Sequence, residues 1–178
     1  KSAMDKKPAA VCLAALDTES VKEQLQACKD NGIPVVGFDS GVPNAPEGSI
    51  YATASTDNSA AAAIAAEQLY ADAGFQAKLA AATPEAPINV AVLSQDATSD
   101  SIISRTSGFI NKLVELVGDD SVKVVGHDKY AKDAASPKVI VNVNVPATTS
   151  AADQKTGAEA LLGLDNLVAI YGSNENAA

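Results

Sequence analysis

Tryptophan is absent from this 178-residue chain, and aromatic residues make up only 4% of it. Any core must therefore be filled by aliphatic side chains, and a hydrophobic share of 47% supplies enough for one ordinary domain or two small lobes. Positive charge is scarce. Thirteen Lys and Arg face 22 Asp and Glu, a net charge of −9 that repels phosphate backbones and anionic bilayers. Nucleic acid is accordingly not an expected partner. No run of about 18 apolar residues occurs, so no membrane-inserted helix is expected. The stretch from Lys1 to Lys7 is polar and lacks the apolar core of a signal peptide, as a mature secreted protein, a cytosolic protein or a fragment would. There is a single His, His127, with no Ser or Cys at a recognisable nucleophile elbow, and neither a Gly-x-Gly-x-x-Gly run nor a P-loop. These absences argue against an enzyme and against a nucleotide cofactor, and no cofactor is expected. Two cysteines, Cys12 and Cys28, are too few for a CxxC pair or a metal site. They read as two buried free thiols, or as a bridge between a strand and its following helix if their Cα atoms approach.

What is present is alternation. Pro8 to Leu16 is an apolar run with the length of a strand buried on both faces. Asp17, Thr18 or the Ser20 and Glu23 pair can cap the next helix, in which Val21, Leu25 and Cys28 share a face before Asn31-Gly32 stops it. Ile33 to Phe38 is a second strand and Ser49 to Ala54 a third. Ser55-Thr56-Asp57-Asn58 caps an Ala-rich helix expected over Ser59 to Ala73, ending at Gly74. Ile88 to Leu93, Ser121 to Gly126, Val139 to Val145 and Leu167 to Tyr171 complete the strands. Ile102 to Val117 and Ala151 to Leu162 are the intervening helices. Strands alternating with helices predict an α/β fold with doubly wound parallel sheets.

In such sheets ligands bind just past the carboxyl ends of strands. The strand in Gly32-Ile33-Pro34-Val35-Val36-Gly37-Phe38 ends at Asp39, followed by Ser40 and Gly41. Asp39 can accept from two hydroxyls, or can cap the turn after the strand. Arg105 is the only Arg, in the first turn of its predicted helix, where a cation is electrostatically unfavourable. A ligand oxygen, Asp96 or Asp100 would offset it, and a surface salt bridge is the plainer alternative. Asn174, just past the last strand, can give and take one hydrogen bond each, as a pair of hydroxyls needs, or can cap a helix. Asp57 and Asn58 read first as helix caps, Asp17 as structural, and His127 as a solvated loop residue.

Several segments, in order, resemble the sugar-binding periplasmic proteins of ABC importers, of the ribose- and galactose-binding type. They are Leu16-Asp17 through Ala27; Gly32 to Val36 with Asp39-Ser40; Ser55-Thr56-Asp57-Asn58 before the Ala-rich helix; and Ser104-Arg105-Thr106-Ser107-Gly108-Phe109, similar to the family's Arg-x-x-Gly-Phe. Tyr171 to Ala178 is similar to its late strand, Asn-Asp, helix element, with Glu175 where Asp is usual. The resemblance implies two Rossmann-like lobes of the type 1 periplasmic-binding fold, incomplete at both ends of this sequence. Residues 1–54 would be the later part of the first lobe and 55–178 the first part of the second. It implies a sugar or related polyol or nucleoside held by Asp39, Ser40, Arg105 and Asn174, with Ser55, Thr56, Asp57 and Asn58 as hinge. It also implies hinge closure, a membrane permease as partner, and a periplasmic or extracellular location. Two alternatives stay beside this substrate-binding role: the effector-binding core of a LacI-type transcription regulator, which shares the fold, and, more remotely, a small α/β enzyme.

Overall fold

Short apolar strands and the helices that follow them build every layer of the computed structural model, which describes residues 3–178. The chain gathers into two compact units, Lys1–Asp57 with Thr98–Ser101, and Asn58–Ala97 with Ile102–Ala178.

In the first unit, β1 (Val11–Leu13), β2 (Val35–Phe38) and β3 (Ala52–Ala54) form a three-stranded sheet in that order, parallel throughout. Helix α1 (Lys22–Asp30) packs on one face, where Leu25 and Cys28 meet Ala15, Val35 and Val42. The turn before α1 is held by Asp17, whose Oδ1 accepts the N–H groups of Glu19 and Ser20 at 2.9 and 2.8 Å. Neither Ser20 nor Thr18 is the cap; Val21 occupies the N-cap position without a side-chain bond. Gly32 ends the helix at φ 65°, a left-handed conformation that Gly adopts without a Cβ penalty.

Two expectations for this region are corrected. The run from Pro8 to Leu16 contributes only three strand residues, and it is not buried on both faces: Cys12 is exposed and Leu16 is 78% exposed. Successive strand side chains point to opposite faces, so Val11 and Leu13 join the core beside α1 while Cys12 points away. Both cysteines are free thiols, but only Cys28 is buried. The sheet separates them, which leaves no geometry for a bridge.

In the second unit, β4 (Ile88–Leu93), β5 (Val122–Val125), β6 (Val139–Asn144) and β7 (Leu167–Gly172) form a parallel sheet in the order β5-β6-β4-β7. Central β4 is covered on both faces. Val90 and Val92 pack with Ala66, Phe109 and Leu113, from α2 (Asn58–Ala71) and α4 (Asp100–Val117). Ala91 and Leu93 pack on the other side with Leu161 of α5 (Ala151–Leu162) and with Ala177. The Ala-rich helix does not run to Ala73. It breaks at Asp72, whose Oδ1 accepts the Phe75 N–H at 2.8 Å and starts α3 (Ala73–Ala81) with Gly74 inside it. The local capping bond outweighs the helix-stopping tendency of Gly74.

Candidate functional site

β2 delivers Asp39 to the carboxyl end of the first sheet. Asp39 sits at φ 60°, its N–H donates to the Ala54 carbonyl at 3.0 Å, and the Ser40 N–H donates to the Phe38 carbonyl at 2.7 Å. The turn is thus closed by backbone bonds. Among the described residues nothing hydrogen-bonds to the Asp39 carboxylate, which is exposed. A non-Gly residue held left-handed at a strand end is a strained position of the kind that clusters at ligand clamps. The side chain of Ser40 goes the other way. It is 4% exposed, with its Oγ 3.3 Å from Ser99 Oγ, which lies 3.1 Å from Ser101 Oγ.

In the second unit the carboxyl ends of β4 and β7 bring Arg105 and Asn174 around Ser173. Helix α4 begins at Asp100, so Arg105 lies beyond the first turn, where the expected dipole penalty has largely faded. Its Nε donates to Asn58 Oδ1 at 2.8 Å and its Nη1 to the Ser173 carbonyl at 3.4 Å. The rest of the Arg-x-x-Gly-Phe segment has equally plain reasons. A Cβ on Gly108 would fall 2.6 Å from the Ser59 carbonyl oxygen, so Gly lets α2 and α4 touch. Phe109 stacks on Tyr171, with ring centroids 4.2 Å apart and planes 7° from parallel. Burial raises the Tyr171 phenol pKa, and the charge of Arg105 opposes that shift.

Of the two roles open to it, Asn174 takes the capping one, on the turn that follows β7. Its Oδ1 accepts the Ala177 N–H at 3.2 Å, as a cap would, and its Nδ2 donates to Gln95 Oε1 at 2.6 Å. Of the hinge candidates, Ser55, Thr56 and Asp57 are exposed and Asn58 is buried against Arg105. His127 is structural rather than merely solvated: its Nδ1 accepts the Lys129 N–H at 3.2 Å and its ring tilts against Tyr130 at 5.6 Å.

Sequence reasoning missed Gln95 and Ser173. Each lies within two residues past a strand end, so the rule that singled out Asp39 would have found both. Among the described residues no group of three or more His, Cys, Asp or Glu could hold a metal ion, and no helix is long and apolar enough to cross a membrane.

Parallel α/β sheets with polar groups gathered past their carboxyl ends are the construction of the type 1 periplasmic-binding fold. The chain belongs to the periplasmic binding protein domain family, which it matches over residues 1–178. Among solved structures it is similar to an "ABC transporter, LacI family transcriptional regulator" from Brachyspira murdochii, at 35% identity and TM-score 0.73, covering 99% of this chain and 50% of the other. It shares its fold with a glucose-galactose binding protein from Geobacillus stearothermophilus, at 18% identity and TM-score 0.68, covering 99% and 51%. A carbohydrate transporter solute binding protein from Agrobacterium radiobacter, in complex with D-arabinose, is similar at 18% identity and TM-score 0.65, covering 99% and 50%. The chain therefore spans about half the length of the solved structures it matches. The comparison with curated proteins finds no match.

Proposed function

We propose that the chain belongs to the substrate-binding component of an ABC-type importer and holds a small polar solute, a sugar, for delivery to a membrane permease in the periplasm or outside the cell. The observation that carries this reading is the exposed Asp39 carboxylate, engaged by no hydrogen bond among the described residues, at the carboxyl end of a parallel sheet. In this reading Asp39 accepts from two sugar hydroxyls, and Ser40 belongs to the site through the turn it shares with Asp39. Arg105 adds a planar donor fork and Asn174 one donor and one acceptor. Ser55, Thr56, Asp57 and Asn58 serve as the hinge. The site works by recognition alone, and no catalytic step is assigned to it. The ligand class draws support from structural neighbours that carry D-arabinose or α-D-tagatopyranose, or are named for binding glucose and galactose.

Thermal unfolding of the protein with pentoses and hexoses tests the proposal. A binding sugar raises the melting temperature by mass action, by about 2.7 kcal/mol of stability at one hundred times its Kd. Absence of a shift with every sugar would remove the sugar reading.

A second reading, the effector-binding core of a LacI-type regulator, draws on the similarity to the Brachyspira murdochii protein, whose name joins transport and transcriptional regulation. Sequence-specific retention of the whole gene product on DNA would favour it; co-purification with a membrane permease would favour transport.

A further inference from the structure

Gln95, one residue beyond Ser94 at the end of β4, touches more of the second unit's carboxyl-end groups than Arg105 or Asn174 does. Its Oε1 accepts from Asn174 Nδ2 at 2.6 Å and from Asn176 Nδ2 at 3.0 Å. Its Nε2 donates to Asp96 Oδ2 at 3.3 Å. Its main-chain N–H donates to Ser173 Oγ at 3.0 Å, and its carbonyl accepts from Nε2 of Gln154, a residue only 3% exposed. One residue thereby ties the loop after β4 to the loop after β7 and to the first turns of α5.

These bonds fix which way each amide faces. Two N–H donors converge on one end of the Gln95 side chain and a carboxylate receives the other, so its oxygen must face Asn174. Asn174 is then locked from both sides, with Gln95 taking a hydrogen of its Nδ2 and the Ala177 N–H filling one lone pair of its Oδ1. What remains is one donor hydrogen and one acceptor lone pair in fixed positions, the pattern that two neighbouring sugar hydroxyls require. Without Gln95, the Asn174 side chain would be held only by the Ala177 N–H, and a ligand would have to complete its ordering on binding.

We infer that Gln95 is a positioning residue for solute recognition, acting through Asn174 rather than by touching the solute. This inference rests on the sugar-binding reading above. A double-mutant cycle on the protein tests it, with affinity measured calorimetrically for D-arabinose, D-galactose, D-glucose, D-tagatose and D-fucose. Gln95→Met is expected to weaken the bound sugar about tenfold, the worth of one hydrogen bond of about 1.4 kcal/mol. Added to Asn174→Ala, it is expected to weaken binding no further, because the group it orients is gone. The ligand-free melting temperature serves as the folding control, and Gln95→Asn, which stays polar but is one methylene too short, replaces Gln95→Met if that variant does not fold. Wild-type affinity in Gln95→Met, or a full tenfold further loss in the double variant, overturns the role of Gln95 alone. A wild-type protein that binds none of the five sugars overturns the sugar reading, and the positioning role with it.

Discussion

Strands β2 and β4 are the same kind of strand in different surroundings. Both are parallel and paired on both edges, β2 between β1 and β3, β4 between β6 and β7. Yet Val92 of β4 is 0% exposed and Val36 of β2 is 39% exposed. In the second unit α2 and α4 cover one face of the sheet and α5 the other, whereas in the first unit α1 covers one face and the opposite face shows Cys12, Val36 and Phe38. Parallel sheets ordinarily bury both faces. Within residues 3–178 the second sheet is covered on both faces and the first on one, so the two sheets should respond differently to the same change.

The largest difference is expected from a matched pair of truncations. Val92→Ala should cost roughly 2–3 kcal/mol in urea unfolding, from lost burial plus the cavity left behind, while Val36→Ala should cost under about 1 kcal/mol. Equal losses would erase the distinction between the sheets. Next in size, Gly108→Ala should cost about 2 kcal/mol, because its Cβ would meet the Ser59 carbonyl oxygen at 2.6 Å and α2 must move away from α4. A neutral outcome there would mean that the second unit is more loosely packed than its geometry indicates.

Alkaline pH gives a smaller and more selective probe. Burial raises the phenol pKa of both Tyr130 and Tyr171, and both belong to the second unit. The folded state holds these protons more tightly than the unfolded state. Below a pH of about 10 both states are protonated and nothing changes; above it the unfolded state ionises first and stability falls as pH rises. Tyr171→Phe should reduce that fall, and Arg105→Ala should push the Tyr171 titration further up, read by tyrosinate absorbance. A titration of Tyr171 unmoved by loss of Arg105 would contradict the placement of the two groups. The gentlest test leaves stability untouched: a soluble thiol reagent should label Cys12 in the native protein and reach Cys28 only after denaturation. Equal labelling rates would show that the face carrying Cys12 is as covered as the face carrying Cys28.

Much of the second unit was legible in the sequence because its strands are long enough to declare themselves. Ile88 to Leu93 is a strand over those same residues, and α5 spans the expected Ala151 to Leu162, capped by Ser150, whose Oγ accepts the Asp153 N–H at 3.2 Å. The first unit was less legible for a physical reason. An apolar run records that residues avoid water somewhere; it does not say which faces the fold covers, so Pro8 to Leu16 overstated the burial of Cys12 and Leu16. Short-range bonds also escaped the pattern, as when Asp72 restarted a helix that Gly74 was expected to end. At the candidate site, Asp39, Arg105 and Asn174 stood out because each is a chemically distinctive residue at a strand end or near the start of a helix. Gln95 also lies just past a strand end, but its contacts reach residues up to 81 positions away, which no local pattern records.

The central proposal is that the protein recognises a polar solute through Asp39 and Arg105, and titration calorimetry on single variants tests it most directly. With a sugar that binds the wild-type protein, Asp39→Ala in the first unit and Arg105→Lys in the second should each abolish measurable binding, since Lys keeps the charge but not the planar fork. The ligand-free fold should survive in both. Wild-type affinity in either variant would contradict the proposal, because it would remove that residue from recognition.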